Sequence, residues 1–401
     1  KTGKIAEAIT TNQKTGKIAE AITTNQKIGK IAEAITTNPA PTNQKITVGY
    51  LDQAKIENGK AIVKGWAGSM GGGPLKGFKI SIGGNNIAEF QPALNLPSPD
   101  VAKKHPHLDN SGAARFRVVI PLPPNQLQEY QDSLLALTPI FETGEGQIMT
   151  KVLDSAGNKS LGYEIVSEGG SEKVLFNGKL LPIPPKTLRN RVHGSGDLHD
   201  FLSKGLGINR DLKAALKRIG KDWNQFETVL DLGCGCGRVM MWNAAEENAA
   251  KIYGNDIDPA AIHWCEEHLN LGNFGINKAL PPLEYEENKF DLIYLVSVFT
   301  HINEEMQFKW LEEFKRIVKP EGIVVITISS GPKNPQQAAK LAGELEEKGI
   351  VFVKTHGAKD SVFPAWYQTT YLSEGYLRDK WANYLDVVDY IPGGIRGNQD
   401  V

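Results

Sequence analysis

The stretch Val229-Leu-Asp-Leu-Gly-Cys-Gly-Cys-Gly-Arg238 leaves few folds open. The apolar run from Phe226 to Leu232 has the length of a buried strand and carries an acid, Asp231, near its end. Glycine then recurs at Gly233, Gly235 and Gly237. There the backbone turns sharply and a ligand approaches without meeting a Cβ. Val239-Met-Met-Trp-Asn-Ala-Ala-Glu-Glu247 reads as a helix. A strand, a glycine turn and a helix N-terminus in that order open a nucleotide-binding α/β unit.

The spacing argues about which nucleotide. Counted from Gly233, the third glycine of the dinucleotide fingerprint G-x-G-x-x-G falls on Arg238. Asp231 would also repel a pyrophosphate, so it suits a ligand with a cation nearby. Both features disfavour an NAD-dependent oxidoreductase. A second landmark, Lys251-Ile-Tyr-Gly-Asn-Asp-Ile-Asp258, is a strand that ends in acids, with Asp256 placed 19 residues after Gly237 to accept from ribose hydroxyls.

These two landmarks resemble the opening motifs of the class I S-adenosylmethionine (SAM) dependent methyltransferases. The resemblance implies SAM as the cofactor. Asp231 and the turn formed by Gly233, Cys234, Gly235 and Gly237 would hold its methionine end. Asp256 would hold the ribose, and Ile257 and Asn277 would flank the adenine. The downstream chain agrees: helix 259–271, strand 273–277, buried strand 289–299, amphipathic helix 304–318, a break at Lys319-Pro-Glu-Gly322, and strand 323–328. Strands that alternate with helices predict a doubly wound, Rossmann-like parallel sheet. Ligands bind beyond the carboxyl ends of such strands, which places Asp231, Asp256, Asn277 and Ser297 along one rim. The resemblance spans roughly residues 180–401. It also implies that the segment before the first strand closes over the methionine end, where Arg191 would grip the carboxylate bidentately. A surface charge is the alternative for Arg191.

His301, just past the fourth strand, is the candidate catalytic base, since an oxygen acceptor must lose a proton. The alternative is that it only supports its loop. Residues 329–360 and the aromatic run Phe363 to Tyr371 would cover the acceptor. A helix at 376–384 and a strand at 385–391 follow, and the family's last antiparallel strand would begin at Val401. No metal site is expected: the ribose accounts for Asp256 and a helix cap for Asp258, and His105-Pro-His107 reads as a solvated loop.

A chain of 401 residues exceeds one ordinary core. Three regions are expected. Residues 1–45 hold a 13-residue unit, Lys1 to Gln13, repeated at 14–26 and, with one change, at 27–38, before a Pro-rich linker. This arm reads either as a flexible extension or as a device for homo-oligomerisation. Residues 46–160 show short alternating strands separated by glycine turns, the pattern of an all-β sandwich. Residues 161–401 form the methyltransferase-like domain. The stretch from Gly65 to Val101 faintly resembles a β-sandwich module found beside enzymes of bacterial glycan synthesis, with Trp66 either contacting glycan or lying in the core.

Net charge is −1, so nothing global draws the chain to nucleic acid or an anionic membrane. No run approaches 18 apolar residues, and Cys234, Cys236 and Cys265 read as reduced packing residues. A cytoplasmic enzyme without membrane insertion is expected. Its reaction would be O-methylation of a sugar hydroxyl on a glycan or glycolipid. A small metabolite or a protein side chain stays open as acceptor, as does a non-catalytic SAM-binding assembly protein.

Overall fold

The computed structural model describes residues 46–155, 163–168, 171–245, 250–332, 334–354, 364 and 366–401. The tandem repeats and linker at 1–44, together with most of 355–365, lie outside the described residues. Residues 46–401 form one compact unit.

The first part of that unit is β-rich. Its strands are β1 (Ile46–Glu57), β2 (Lys60–Met70), β3 (Leu75–Ile82), β4 (Asn85–Ile87) and β5 (Gln91–Leu96). After helix α1 (Pro99–Lys104) come β6 (Arg115–Pro121), helix α2 (Leu127–Tyr130) and β7 (Leu134–Phe141). Three short strands, β8 (Gly144–Glu145), β9 (Met149–Val152) and β10 (Asp154–Ser155), complete it. They make two mainly antiparallel sheets, ordered β10-β1-β2-β6-β5 and β4-β3-β7-β8, with β9 also on β7. Alternate residues of β2 point inward, as the period-2 pattern requires. Val63 and Phe116 from one sheet join Phe78, Ile80 and Leu137 from the other in a single apolar core. Trp66 is half-buried against Val101, Leu108 and Ala114, and the His105 ring packs on it at a tilt, with centroids 5.0 Å apart.

A three-stranded meander follows that the sequence reading missed: β11 (Tyr163–Glu168), β12 (Ser171–Phe176) and β13 (Lys179–Pro182). Its strands are short and charged, so they carry little apolar alternation. Val174 and Leu181 nonetheless belong to the core of the α/β unit, and Tyr163 and Phe176 pack on the buried Trp242. Helices α3 (Lys186–His193) and α4 (Leu198–Arg218) come next. Asp197 caps α4 by accepting from the Asp200 amide at 2.7 Å.

The α/β unit is built from β14 (Thr228–Leu232), β15 (Lys251–Asp256), α5 (Pro259–His268), β16 (Gly272–Ile276), β17 (Phe290–Leu295), α6 (Glu304–Ile317) and β18 (Val318–Ile326). The sheet order is β16-β15-β14-β17-β18, and all pairings are parallel. Such a sheet needs cover on both faces. Along β17, Leu292 and Tyr294 enter one core while Ile293 and Leu295 enter the other, against Trp310, Leu311 and Phe314 of α6. Asp258 caps α5 and Asn303 caps α6. Helix α7 (Pro335–Lys348), the antiparallel pair β19 (Ile350–Val353) and β20 (Thr369–Leu372), and helix α8 (Glu374–Lys380) complete the chain.

Three expectations are corrected. The helix after the glycine turn is, over its described part, a 3-10 segment, Met240–Ala245. Residues 385–391 form no strand; Ile391 alone pairs, through mutual backbone bonds with Val401. Lys319-Pro-Glu-Gly322 does not separate helix from strand but forms the bulged start of β18, with Glu321 at φ 62°. Helix α4 ties the β-rich part to the α/β unit, because Ala214 and Ala215 pack with Leu134, Val152 and Ile391. No helix among the described residues is long and apolar enough to cross a membrane.

Candidate functional site

The site starts at the turn after β14. Gly233, Gly235 and Gly237 have φ of 79°, 53° and 76°, left-handed values that side chains resist. Space is also closed to a side chain. A Cβ on Gly233 would lie 2.5 Å from Val298 Cγ2, and one on Gly235 would lie 2.5 Å from Val192 Cγ2 in α3. The amides of Gly233 and Cys234 both donate to the Asn255 carbonyl, at 2.7 and 3.1 Å, which locks the turn to β15. Cys234, Cys236 and Cys265 are buried and free. Desolvation contributes to raising the Cys236 thiol, and together with the Cys265 partner it raises Cys234 well above the usual thiol range. They pack; they are not nucleophiles.

Asp231 is 3% exposed and accepts from the Tyr294 hydroxyl at 2.8 Å. Burial pushes its pKa up to about 7. Asp256 adds to the rise, while the Tyr294 bond and Arg238 oppose it. Asp256 accepts from the Gly235 amide (2.8 Å) through Oδ2 and from the Asp258 amide (2.8 Å) through Oδ1. Each oxygen keeps a second lone pair, so the carboxylate can still accept from two neighbouring hydroxyls. Burial raises its pKa too. Asn277 follows β16, and its amide nitrogen donates to the Lys278 carbonyl at 2.7 Å. Its Oδ1 is buried with no partner among the described residues. Ile257 is half-buried beside Asp256, and Ile276 and Leu280 next to Asn277 are 51% and 38% exposed. An orphaned acceptor between exposed apolar side chains suits a flat heterocycle with an amino group.

Ser297 lies two residues past β17 at φ 62°, a strained conformation of the kind that clusters at functional sites. Its amide donates to Thr327 Oγ1 at 2.7 Å, and its hydroxyl accepts from Gln399 Nε2 at 2.6 Å. His301 Nδ1 stands 2.7 Å from the Gln368 carbonyl. A carbonyl can only accept, so that nitrogen carries the proton and Nε2 is the basic nitrogen of the neutral ring. The ring stacks on Tyr367, with centroids 4.1 Å apart and planes 17° apart. Burial raises the Tyr367 phenol. Arg191 faces a carboxylate of this chain: its Nη1 is 3.1 and 2.9 Å from the two oxygens of Asp258.

The sequence reading missed Tyr294, Gln399, His193 and the buried side chain of Arg238. A hydroxyl inside the otherwise apolar run of β17 was the available signal for Tyr294. Nothing local marked Gln399, which arrives from the far end of the chain. No cluster of three or more metal-ligating side chains occurs among the described residues. The glycine cradle, the two-pronged Asp256 and the orphaned Asn277 Oδ1 fit a SAM-sized nucleoside with a charged tail.

Comparison with known proteins adds family context. Residues 229–322 match the family described as "Methyltransferase domain". The chain is 24% identical over 200 residues to a ribosomal protein L11 methyltransferase of Thermosipho melanesiensis, covering 47% of this chain and 75% of that one. It is 32% identical over 118 residues to a phosphoethanolamine N-methyltransferase of Plasmodium falciparum, covering 28% and 44%. The match therefore spans less than half the length of that second relative. A solved TehB-like SAM-dependent methyltransferase from Corynebacterium glutamicum aligns at 18% identity and a TM-score of 0.27, covering 42% of this chain and 88% of that one.

Proposed function

Since the chain carries a class I, SAM-dependent methyltransferase domain, we propose that it is an enzyme that methylates a hydroxyl oxygen, with a sugar of a glycan or glycolipid as acceptor. The observation that supports an enzyme, rather than a SAM-binding assembly protein, is the fixed tautomer of His301 near the rim that holds the cofactor residues. The cofactor, when bound, supplies a methyl group already activated on a sulfonium. The chain then has to bind, align and move one proton. Asp231 and the Gly233–Gly237 turn, Cys234 included, hold the methionine end. Asp256 holds the ribose, and Ile257 and Asn277 hold the adenine. Ser297, kept in place by Thr327 and Gln399, shapes the floor between cofactor and acceptor. Arg191 clamps α3 over the turn through Asp258.

His301 Nε2 takes the proton of the acceptor hydroxyl while Nδ1 donates to Gln368 and stabilises the imidazolium that forms. Trp366, with its ring centroid 6.2 Å from that of Tyr367, is a half-buried aromatic of the kind on which sugars stack, while Tyr367 backs the His301 ring. The two relatives are named for different acceptors, a ribosomal protein and phosphoethanolamine, so the acceptor class is argued from the Trp366 ring and from the β-rich module.

The test is methyl transfer from labelled SAM to sugar hydroxyls, small amines and protein substrates in parallel, with wild type and His301→Ala. Transfer to a sugar hydroxyl is expected. His301→Ala should lower kcat by about 10²–10⁴-fold and leave S-adenosylhomocysteine affinity unchanged. Transfer only to amines or protein would replace the acceptor class. Undiminished turnover in the variant would remove His301 as the base.

A further inference from the structure

The chain returns across the rim through residues 391–401. Ile391 and Val401 close this loop at its base with backbone bonds of 2.7 and 3.1 Å, and Asp400 and Ile328 exchange two more at 3.0 Å. In between, the backbone bends into left-handed conformations at Gly393, Arg396 and Gly397, with φ of 63°, 56° and 61°. A non-glycine residue at positive φ persists where its surroundings hold it there.

The holding contacts come from outside the α/β sheet. Thr150, buried in β9 of the β-rich part, donates its hydroxyl proton to the Gly393 carbonyl. A Cβ on Gly393 would lie 3.4 Å from that hydroxyl. One on Gly397 would lie 3.5 Å from the Thr150 carbonyl oxygen and 3.9 Å from the Tyr50 ring. Helix α4 adds Asp211, which accepts from the Arg396 amide at 2.7 Å. Asp400 ties the loop internally, accepting from the Gly393 amide at 2.7 Å and from the Tyr390 hydroxyl at 2.9 Å.

This loop carries Gln399 to the site. Gln399 Nε2 donates to Ser297 Oγ at 2.6 Å, and its Oε1 is buried without a partner among the described residues. The amide therefore has one side-chain anchor, and where it stands depends on the backbone that carries it. Ser297 is itself at φ 62°, and its neighbour Val298 closes the space above Gly233 of the cofactor turn. Contacts thus run unbroken from Thr150 through the Gly393 turn and Gln399 to the floor of the site.

We propose that Thr150 is a positioning residue for methyl transfer: by holding the Gly393 turn it fixes the loop that delivers Gln399 to Ser297. The β-rich part is then a brace for the acceptor side of the site. This rests on reading the site as that of a methyltransferase.

The test uses the intact protein, labelled SAM and sugar-hydroxyl acceptors. Thr150→Val, which loses the hydroxyl, should lower kcat about 10- to 100-fold, the scale of a small misplacement caused from a distance. Its affinity for S-adenosylhomocysteine should stay within about 3-fold of wild type, and Thr150→Ser should recover most of the turnover. Gln399→Ala should lose about as much as Thr150→Val, and the double variant should fall no more than about 3-fold further, because contacts in one chain do not add. If Thr150 only staples two parts of the chain, Thr150→Val will melt earlier yet turn over like wild type, or the two losses will multiply. Either result overturns the proposal. Hydrogen exchange of the amides at 296–300 reads the same coupling without an acceptor. It should quicken about tenfold in Thr150→Val and keep the wild-type rate in Thr150→Ser. Exchange that quickens at 391–400 alone overturns the proposal. Should Thr150→Val fail to fold, wild-type turnover and wild-type exchange at 296–300 in Gln399→Ala overturn it. Wild type that methylates no acceptor overturns the methyltransferase reading, and the exchange comparison still decides the brace.

Discussion

Asp231 is where burial and function pull in opposite directions. Its carboxyl titrates near pH 7 because burial beneath the turn and the nearby Asp256 raise it by more than the Tyr294 hydrogen bond and Arg238 lower it. An ammonium favours the ionised form, so binding at or below neutrality must expel a proton. S-adenosylhomocysteine should bind more weakly as pH falls from 7 to 5.5, approaching tenfold per unit, and release a proton detectable in buffers of different ionisation enthalpy. A flat profile would show that no cation approaches Asp231. The stability sign follows from the same pKa. Because the folded value is raised above 3.8 to about 7, the contribution to the free protein is complete at low pH and is lost as pH rises through 7. Asp231→Asn keeps an acceptor for Tyr294 and removes the charge. It should therefore stabilise the ligand-free protein at pH 8, by up to about 4 kcal/mol, while weakening S-adenosylhomocysteine and abolishing the pH dependence. A variant less stable than wild type at pH 8 would contradict the burial argument.

At the scale of elements, helix α3 acts as a strap across the turn. Val192 covers Gly235, Arg191 reaches Asp258, and His193 meets Arg238. Gly235→Ala places a Cβ against Val192 and a side chain at φ 53°. About 1–2 kcal/mol of backbone strain plus the clash should displace α3 and cost S-adenosylhomocysteine binding. Adding Val192→Ala removes the clash but not the strain, so it should restore part of the affinity; full restoration would mean the turn conformation is immaterial. Arg191→Ala removes an exposed pair and should change stability by less than about 1 kcal/mol. The sheet strands and the cap at Asp258 were legible in the sequence, because β-branched runs and the Asp-Pro boundary encode them locally; the Asn303 cap of α6 was not read from it. The strap was not: Val192 and His193 matter only through residues about 40 positions away. The meander β11–β13 was missed for the same reason, since its apolar positions are sparse until Trp242 completes their core. Residues 385–391 read like a strand, but only Ile391 pairs with another stretch of backbone, at Val401.

Across the whole described unit, α4 links the two cores. Leu212 and Leu216 face the α/β unit, and Ala214 and Ala215 face Leu134 and Val152. Ligand at 100 times its Kd should stabilise the protein by about 2.7 kcal/mol, and hydrogen exchange in β7 and β9 should slow together with β14. Protection confined to the α/β unit would mean that the β-rich part unfolds independently. The parallel sheet and the rim of Asp231, Asp256 and Asn277 followed from two landmarks, because strand ends fix where ligands bind. The position of Gln399 against Ser297 depends on the chain returning across the rim, which no local pattern encodes. The proposed chemistry rests on the cofactor site. Its most direct test is calorimetric titration of S-adenosylhomocysteine into the wild-type protein and Asp256→Ala. Saturable 1:1 binding, weakened at least about tenfold when the carboxylate and its two backbone hydrogen bonds are lost, is the predicted result. No binding to wild type, or undiminished binding to Asp256→Ala, would contradict it.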